Sequence, residues 1–247
     1  RLMQKVQRLV SHELHFYGIG ESELEYKLHD LMAESTNPTI APYAGTGEVK
    51  LRVTASLPEG EDAEALLQPA IKKILAAAGD YCYGIDVPDL QTAAVQALRK
   101  KGLTVASAES CTGGLVAARL TEVPGASAVF GCGIVSYNNT VKAEVLGVDP
   151  AIIEQYTAVS AETAAAMAAA IRQKSGAAIG IGITGNAGPS ASEGQPVGLV
   201  FVAVASEKYS HVSRLFIDRH DADARNLIRH FAALKALSLI LRAAGYY

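Results

Sequence analysis

The chain has 247 residues, a formal net charge of -3, 49% hydrophobic and 19% charged residues. This length allows one large domain or two smaller ones, and the charge balance argues against nucleic acid or a membrane surface as partner. No apolar run is long enough to cross a bilayer, and Cys82, Cys111 and Cys132 show neither zinc spacing nor a disulfide framework, as expected in a reducing, cytoplasmic compartment.

No signal peptide is visible, and a chain that opens on Arg1 is expected to be a fragment or a processed piece. Residues 6–17 alternate loosely and read as a strand with Val10, His12, Leu14 and Phe16 on one side; Gly18 and Gly20 break it. A helix from Ser22 buries Leu24, Leu28, Leu31 and Met32 and ends at Asn37-Pro38. Thr39 to Ala44 forms a short strand, and Gly45-Thr46-Gly47 turns the chain tightly. Val49, Leu51 and Val53 then alternate with Lys50, Arg52 and Thr54, a clear strand. A helix over 63–78 and a strand over 81–85 complete the order β-α-β-β-α-β. That order predicts a small ferredoxin-like α+β domain over 1–86.

Asp86-Val87-Pro88 marks a boundary, and 87–247 is expected to form a second domain. A helix over 89–101 ends at Gly102. A strand, Leu103 to Ala106, then breaks into small and polar residues before a helix reaching about Val123. Ala128 to Tyr137 reads as a strand buried on both faces. A short helix carries Lys142 and ends at Gly147, another covers 150–156, and a hydroxyl-capped helix runs from Ser160 to Ser175. A glycine-rich buried strand over 177–184, a loop to Pro196, strands over 197–205 and 209–217 and a closing helix over 221–244 complete an α/β/α sandwich.

Four segments could carry chemistry. In Ser107 to Gly114, Ser110 could act as a nucleophile, with the backbone N–H groups of Thr112, Gly113 and Gly114 holding an oxyanion or phosphate. The same residues also suit a plain capped turn. Gly182 to Pro189 brings Thr184, Gly185 and Asn186 to a strand's carboxyl edge, where ligands of open α/β sheets bind. Ser136 to Lys142 places Tyr137 and Lys142 across a strand-to-helix turn. Asp218 to Arg225 puts arginines at a helix start, suited to phosphate or carboxylate, or simply a solvated charged end. Neighbouring side chains diverge, so Ser110 is expected to face the crevice and Cys111 the interior. A Cys111-dependent enzyme is a further alternative. The six histidines show no metal spacing, so no metal is expected.

The pieces Ala108-Glu109-Ser110-Cys111-Thr112-Gly113-Gly114, Ser136-Tyr137-Asn138 with Lys142, and Gly182 to Pro189 resemble, in order and spacing, the competence-damage-inducible CinA family. Residues 88–247 are similar to its nicotinamide mononucleotide deamidase domain. Phe16 to Ser22, Asn37-Pro38 and Ala41-Pro42-Tyr43 resemble its middle domain. The molybdopterin-binding-like domain of many members has no counterpart in the sequence, so the ADP-ribose hydrolysis associated with it should be absent.

The resemblance implies an amidohydrolase, free of metal and cofactor, that converts nicotinamide mononucleotide and water to nicotinate mononucleotide and ammonia. It makes Ser110 the nucleophile, with Tyr137 and Lys142 as activating partners. Glu109, Thr112, Gly113, Gly114, Thr184, Gly185, Asn186 and Arg225 are the implied substrate contacts. Ile217 stands where a Gly usually precedes the Asp-Arg pair, so Arg219 competes with Arg225 for the phosphate. Lys142 could take the Ser110 proton, directly or through Tyr137, if burial or a pyridinium charge lowers its pKa. The family also implies a homodimer or larger homo-oligomer. A non-catalytic nucleotide-binding or partner-interaction module is the alternative.

Overall fold

The structure is a computed structural model describing residues 7–246. They form two compact units, one running through Asp89 and one covering Leu90–Tyr246. In the first, the elements are β1 (Gln7–Tyr17), α1 (Glu21–Glu34), β2 (Thr39–Ala44), β3 (Glu48–Pro58), α2 (Glu64–Ala78) and β4 (Cys82–Ile85). The expected start of β1 at Val6 lies outside the described residues. The sheet order is β2-β3-β1-β4, antiparallel throughout. Alternation in β3 turns Val49, Leu51, Val53, Ala55 and Leu57 inward, and they pack with Leu24 and Leu28 of α1 and Leu67, Ile71 and Ile74 of α2. This is the antiparallel α+β arrangement that the order of elements predicts.

The second unit contains α3 (Leu90–Lys101), β5 (Val105–Glu109), α4 (Leu115–Glu122), β6 (Phe130–Val135), α5 (Pro150–Tyr156), α6 (Ala161–Ser175), β7 (Ile179–Gly185), β8 (Leu199–Ala205), β9 (Ser210–Phe216) and α7 (Ala224–Ala243). Its sheet runs β6-β5-β7-β8-β9. β6, β5 and β7 are parallel, whereas β8 and β9 are antiparallel to their neighbours. Helix α6 covers one face, and its approach explains the glycines of β7. A Cβ at Gly180 would lie 2.1 Å from the Ala168 oxygen, and one at Gly182 would lie 2.3 Å from that of Ala164. Helices α3, α4 and α7 pack together on the other face. Ser160 caps α6, as expected, by accepting the Thr163 N–H.

Two expectations need correction. β6, read as buried on both faces, is the edge strand, with half-buried and exposed residues in alternation. Its apolar composition serves one face only. β5 lies further along the chain than Leu103 to Ala106, so Ser107 and Glu109 stand inside the sheet. Polar residues survive there because the Glu109 carboxylate is fully hydrogen-bonded, as described below. Since β5, β6 and β7 run parallel with Glu109 level with Val135 and Ile183, the segments after them emerge at one carboxyl edge.

Candidate active site

The turn after β5 is built from within. Ser110 N–H donates to the Ile183 oxygen (2.9 Å), tying the turn to β7. Gly113 and Gly114 have φ of 61° and 92°, a left-handed path that side chains disfavour. This path swings the start of α4 back over Glu109. Glu109 Oε2 accepts the N–H groups of Gly114 (3.1 Å) and Val116 (3.0 Å); Oε1 accepts that of Ala117 (2.9 Å) and the Ser107 hydroxyl (3.2 Å). Glu109 is 1% exposed and neutralises the positive end of α4. Of the amides expected to hold an oxyanion, that of Gly114 is therefore occupied by the protein's own carboxylate. Gly113 N–H is turned back onto the Ser110 oxygen (3.0 Å). On this turn, the N–H groups of Cys111 and Thr112 remain without a partner among the described hydrogen bonds.

A cavity of about 300 Å³ opens in front of Ser110, small for a ligand pocket. Ser110, Tyr137, Lys142, Thr184, Gly185, Asn186 and Arg225 line it, from segments spread over more than a hundred residues. Glu109, Thr112, Gly113 and Gly114 are not among its lining residues; Glu109 and the two glycines shape the turn.

Lys142 enters from the single π-helical turn Val141–Leu146, which the Asn138 side chain caps by accepting the Val141 N–H (2.8 Å). Its side chain is 1% exposed, and Nζ donates to Ser110 Oγ (3.3 Å) and to the Ser136 oxygen (3.0 Å). No carboxylate is paired with it among the described ion pairs. Burial therefore dominates and pushes its pKa below the ordinary lysine value, while the charge of Glu193 opposes the shift.

Cys111 also lines the cavity, so both neighbours reach it rather than Ser110 alone. Burial pushes the Cys111 thiol up to about 12, which leaves it protonated and a poor nucleophile at neutral pH. The Tyr137 hydroxyl accepts a bond from Arg225 Nη2 (3.0 Å), and no described hydrogen bond joins it to Ser110 or Lys142. Arg225 Nη1 donates to the Gly188 oxygen (2.5 Å). Thr184, 1% exposed, donates to the Ala158 oxygen (2.6 Å). Asn186 spans its own loop: Nδ2 donates to the Ser190 and Gln195 oxygens (both 3.1 Å), and Oδ1 accepts from Gly188 N (2.9 Å). Arg219 pairs with Asp221 (3.6 Å) in a neighbouring depression that shares Arg225 with the cavity.

Three participants escaped the sequence reading. Arg229 of α7 donates to the Thr112 oxygen (2.9 Å). Asn139 and Glu193 line the cavity and bond to each other (3.3 Å). A lone carboxylate in a loop of Ser, Ala and Gly was the available signal for Glu193. Among the described residues no group of three or more His, Cys, Asp or Glu is placed to hold a metal ion, and no helix is long and apolar enough to cross a membrane.

Residues 88–244 match the CinA C-terminal domain, and residues 11–84 match the KH domain of damage-inducible protein CinA. The chain belongs to the CinA family. A competence-damage inducible protein of Bacillus pumilus is 46% identical over 206 residues, 83% of this chain and 50% of its own length. A CinA-like protein of Kosmotoga olearia is 41% identical over 244 residues, 98% of this chain and 58% of its own. The chain thus spans about half the length of the curated CinA relatives it matches. Among solved structures, the competence/damage inducible protein CihA of Agrobacterium tumefaciens is 35% identical. It covers 62% of this chain and 93% of its own, with a TM-score of 0.58. A CinA superfamily protein of Klebsiella pneumoniae, 28% identical, covers 64% of this chain and 97% of its own, with a TM-score of 0.60.

Proposed function

We propose that this CinA-family chain hydrolyses the carboxamide of nicotinamide mononucleotide, giving nicotinate mononucleotide and ammonia through a Ser110 acyl-enzyme. The observation that carries the reading is the buried Lys142 amine 3.3 Å from the Ser110 hydroxyl, with no carboxylate in ion-pair contact with it among the described residues. A primary amide is a poor electrophile, so the serine must be activated and the leaving amine protonated. Neutral Lys142 supports both: its lone pair takes the Ser110 proton as Oγ bonds to the amide carbon. The resulting ammonium returns the proton to the nitrogen as the C–N bond breaks, and ammonia leaves. Water then attacks the ester, Lys142 again taking a proton, and Ser110 is regenerated. With Glu109 occupying the α4 amides, the N–H groups of Cys111 and Thr112 are the donors best suited to the tetrahedral oxyanion. Arg225, anchored by Gly188 and Tyr137 at the cavity wall, suits the phosphate or ribose end. Activity residing in a domain over 87–247, a cytoplasmic site of action and a homodimer or larger assembly belong to the same proposal. The test is ammonia release from nicotinamide mononucleotide by the wild type and by Ser110→Ala. Release by the wild type and its loss in a folded Ser110→Ala chain is the expected result; near-normal turnover by the variant would remove Ser110 as nucleophile.

A further inference from the structure

Glu193 stands apart from the other groups around the cavity. It is the one carboxylate among the described lining residues, which also include the Lys142 amine and the Arg225 guanidinium. Its backbone has φ of 51°, a left-handed conformation that a residue with a Cβ adopts only when the surroundings enforce it. The turn requires it: Glu193 and Gly194, both at positive φ, are the central pair of a tight turn closed between Ser192 and Gln195. Glu193 Oε1 accepts from Asn139 Nδ2 (3.3 Å) and Oε2 from Ala158 N–H (2.7 Å), so one side chain fastens the 186–196 loop to two other segments of the wall. Both donors are neutral, so the carboxylate keeps its full negative charge beside the cavity.

We propose that Glu193 is a specificity-determining residue that selects ligands carrying a fixed positive charge on the ring, such as an N-substituted pyridinium, over the same molecules with a neutral ring. The proposal rests on the amidohydrolase reading above and deepens it. A pyridinium nucleotide carries a cationic ring at one end and an anionic phosphate at the other. The cavity offers a carboxylate and, from the other side of the loop, the Arg225 guanidinium. A neutral ring gains nothing from the charge of Glu193. A carboxylate held by two neutral donors is preorganised for this role, because no side chain has to be ordered when the ligand arrives.

The charge of Glu193 also acts on Lys142. It works against the burial that lowers the lysine pKa, so removing it should lower that pKa further.

The test compares the full chain with Glu193→Gln, which removes the charge, keeps an acceptor for the Ala158 N–H and turns an NH2 group toward Asn139, whose side-chain amide can flip to accept it. Turnover is measured on nicotinamide mononucleotide, and the 1,4-dihydro form, with its uncharged ring, serves as competitive inhibitor. The variant should lose about ten- to a hundredfold in kcat/KM on the cationic substrate, keep the inhibition constant of the neutral analogue within about twofold, and move the acid limb of the pH profile to lower pH. Equal weakening of both ligands would mean that Glu193 only fastens the loop, and an unchanged preference for the cation would overturn the proposal outright. If the wild type releases no ammonia, the amidohydrolase reading falls separately. The same pair of ligands, followed by calorimetric titration, then tests Glu193 through its dissociation constants; absence of cation-selective binding overturns the proposal.

Discussion

Lys142 Nζ lies 3.3 Å from Ser110 Oγ although 32 residues separate them, and its only other described partner is a backbone oxygen, that of Ser136. An amine this buried and this poorly compensated is held toward its neutral form, the state a proton acceptor needs.

The pH dependence of turnover should show it. Lys142 is competent when deprotonated, so kcat/KM should rise with pH along a limb whose midpoint lies below the ordinary lysine value of about 10.4. Lys142→Met should remove that limb and cost about 10²- to 10⁴-fold in kcat/KM. A limb of unchanged midpoint in the residual activity of Lys142→Met would assign the titration to another group.

Glu109 should matter for stability first. Glu109→Gln replaces a carboxylate that takes three backbone N–H groups and a hydroxyl with a group that itself carries donors. The loss should be about 3 kcal/mol of unfolding free energy, with turnover reduced because Ser110 sits at the loosened turn. Denaturant unfolding of the two chains measures the first, ammonia release the second. An unfolding midpoint equal to wild type would show that the α4 amides find other partners.

Tyr137 separates two roles by kinetics. Its hydroxyl meets Arg225, so Tyr137→Phe should raise KM by about three- to tenfold by freeing the guanidinium, with kcat within about twofold. A proton relay through Tyr137 would instead lower kcat with little change in KM.

The first unit carries a separate pH response. His12 Nε2 meets Glu64 Oε1 (2.9 Å) and Nδ1 meets Asp86 Oδ2 (2.5 Å), so both ring nitrogens face carboxylates and the ring is favoured as the imidazolium. The bond to Glu64, then that to Asp86, raises its pKa above 6.5. A raised folded-state pKa gives stability that is complete below the unfolded value and lost as pH rises through the folded one. The thermal unfolding midpoint should therefore fall as pH rises above about 6.5, and His12→Gln should flatten that dependence. The two carboxylates are about half exposed to solvent, so the effect is modest. Parallel curves for the two chains would rule out the coupling.

Part of the site was legible in the sequence. Ser110 and Thr184 stand in small-residue turns after apolar strands, Lys142 across a strand-to-helix turn from Tyr137 and Arg225 at a charged helix start, the family resemblance implied their roles, and all four line the cavity. The strand alternation of β3 and the Ser160 cap of α6 are local patterns, set by backbone geometry within a few residues, and were read correctly for that reason. The partners of Glu109 were not legible because they depend on how sharply the chain turns back at Gly113 and Gly114. Glu193 and Arg229 were missed because each acts through a partner far away in sequence: Ala158 for the first, Thr112 for the second.

The sequence by itself determined which residues could react and which segments would be strand or helix, because hydroxyl, amine and hydrophobic period belong to single residues and short windows. Only the tertiary structure decided how they act. Parallel pairing of β5 with β6 and β7 brings Ser110, Ser136 and Thr184 to one edge; packing then buries Lys142 and shifts its proton, and the return of α4 over Glu109 decides which amides are left for a substrate. Desolvation and hydrogen-bond satisfaction are properties of the folded surroundings, and no single stretch of sequence carries them.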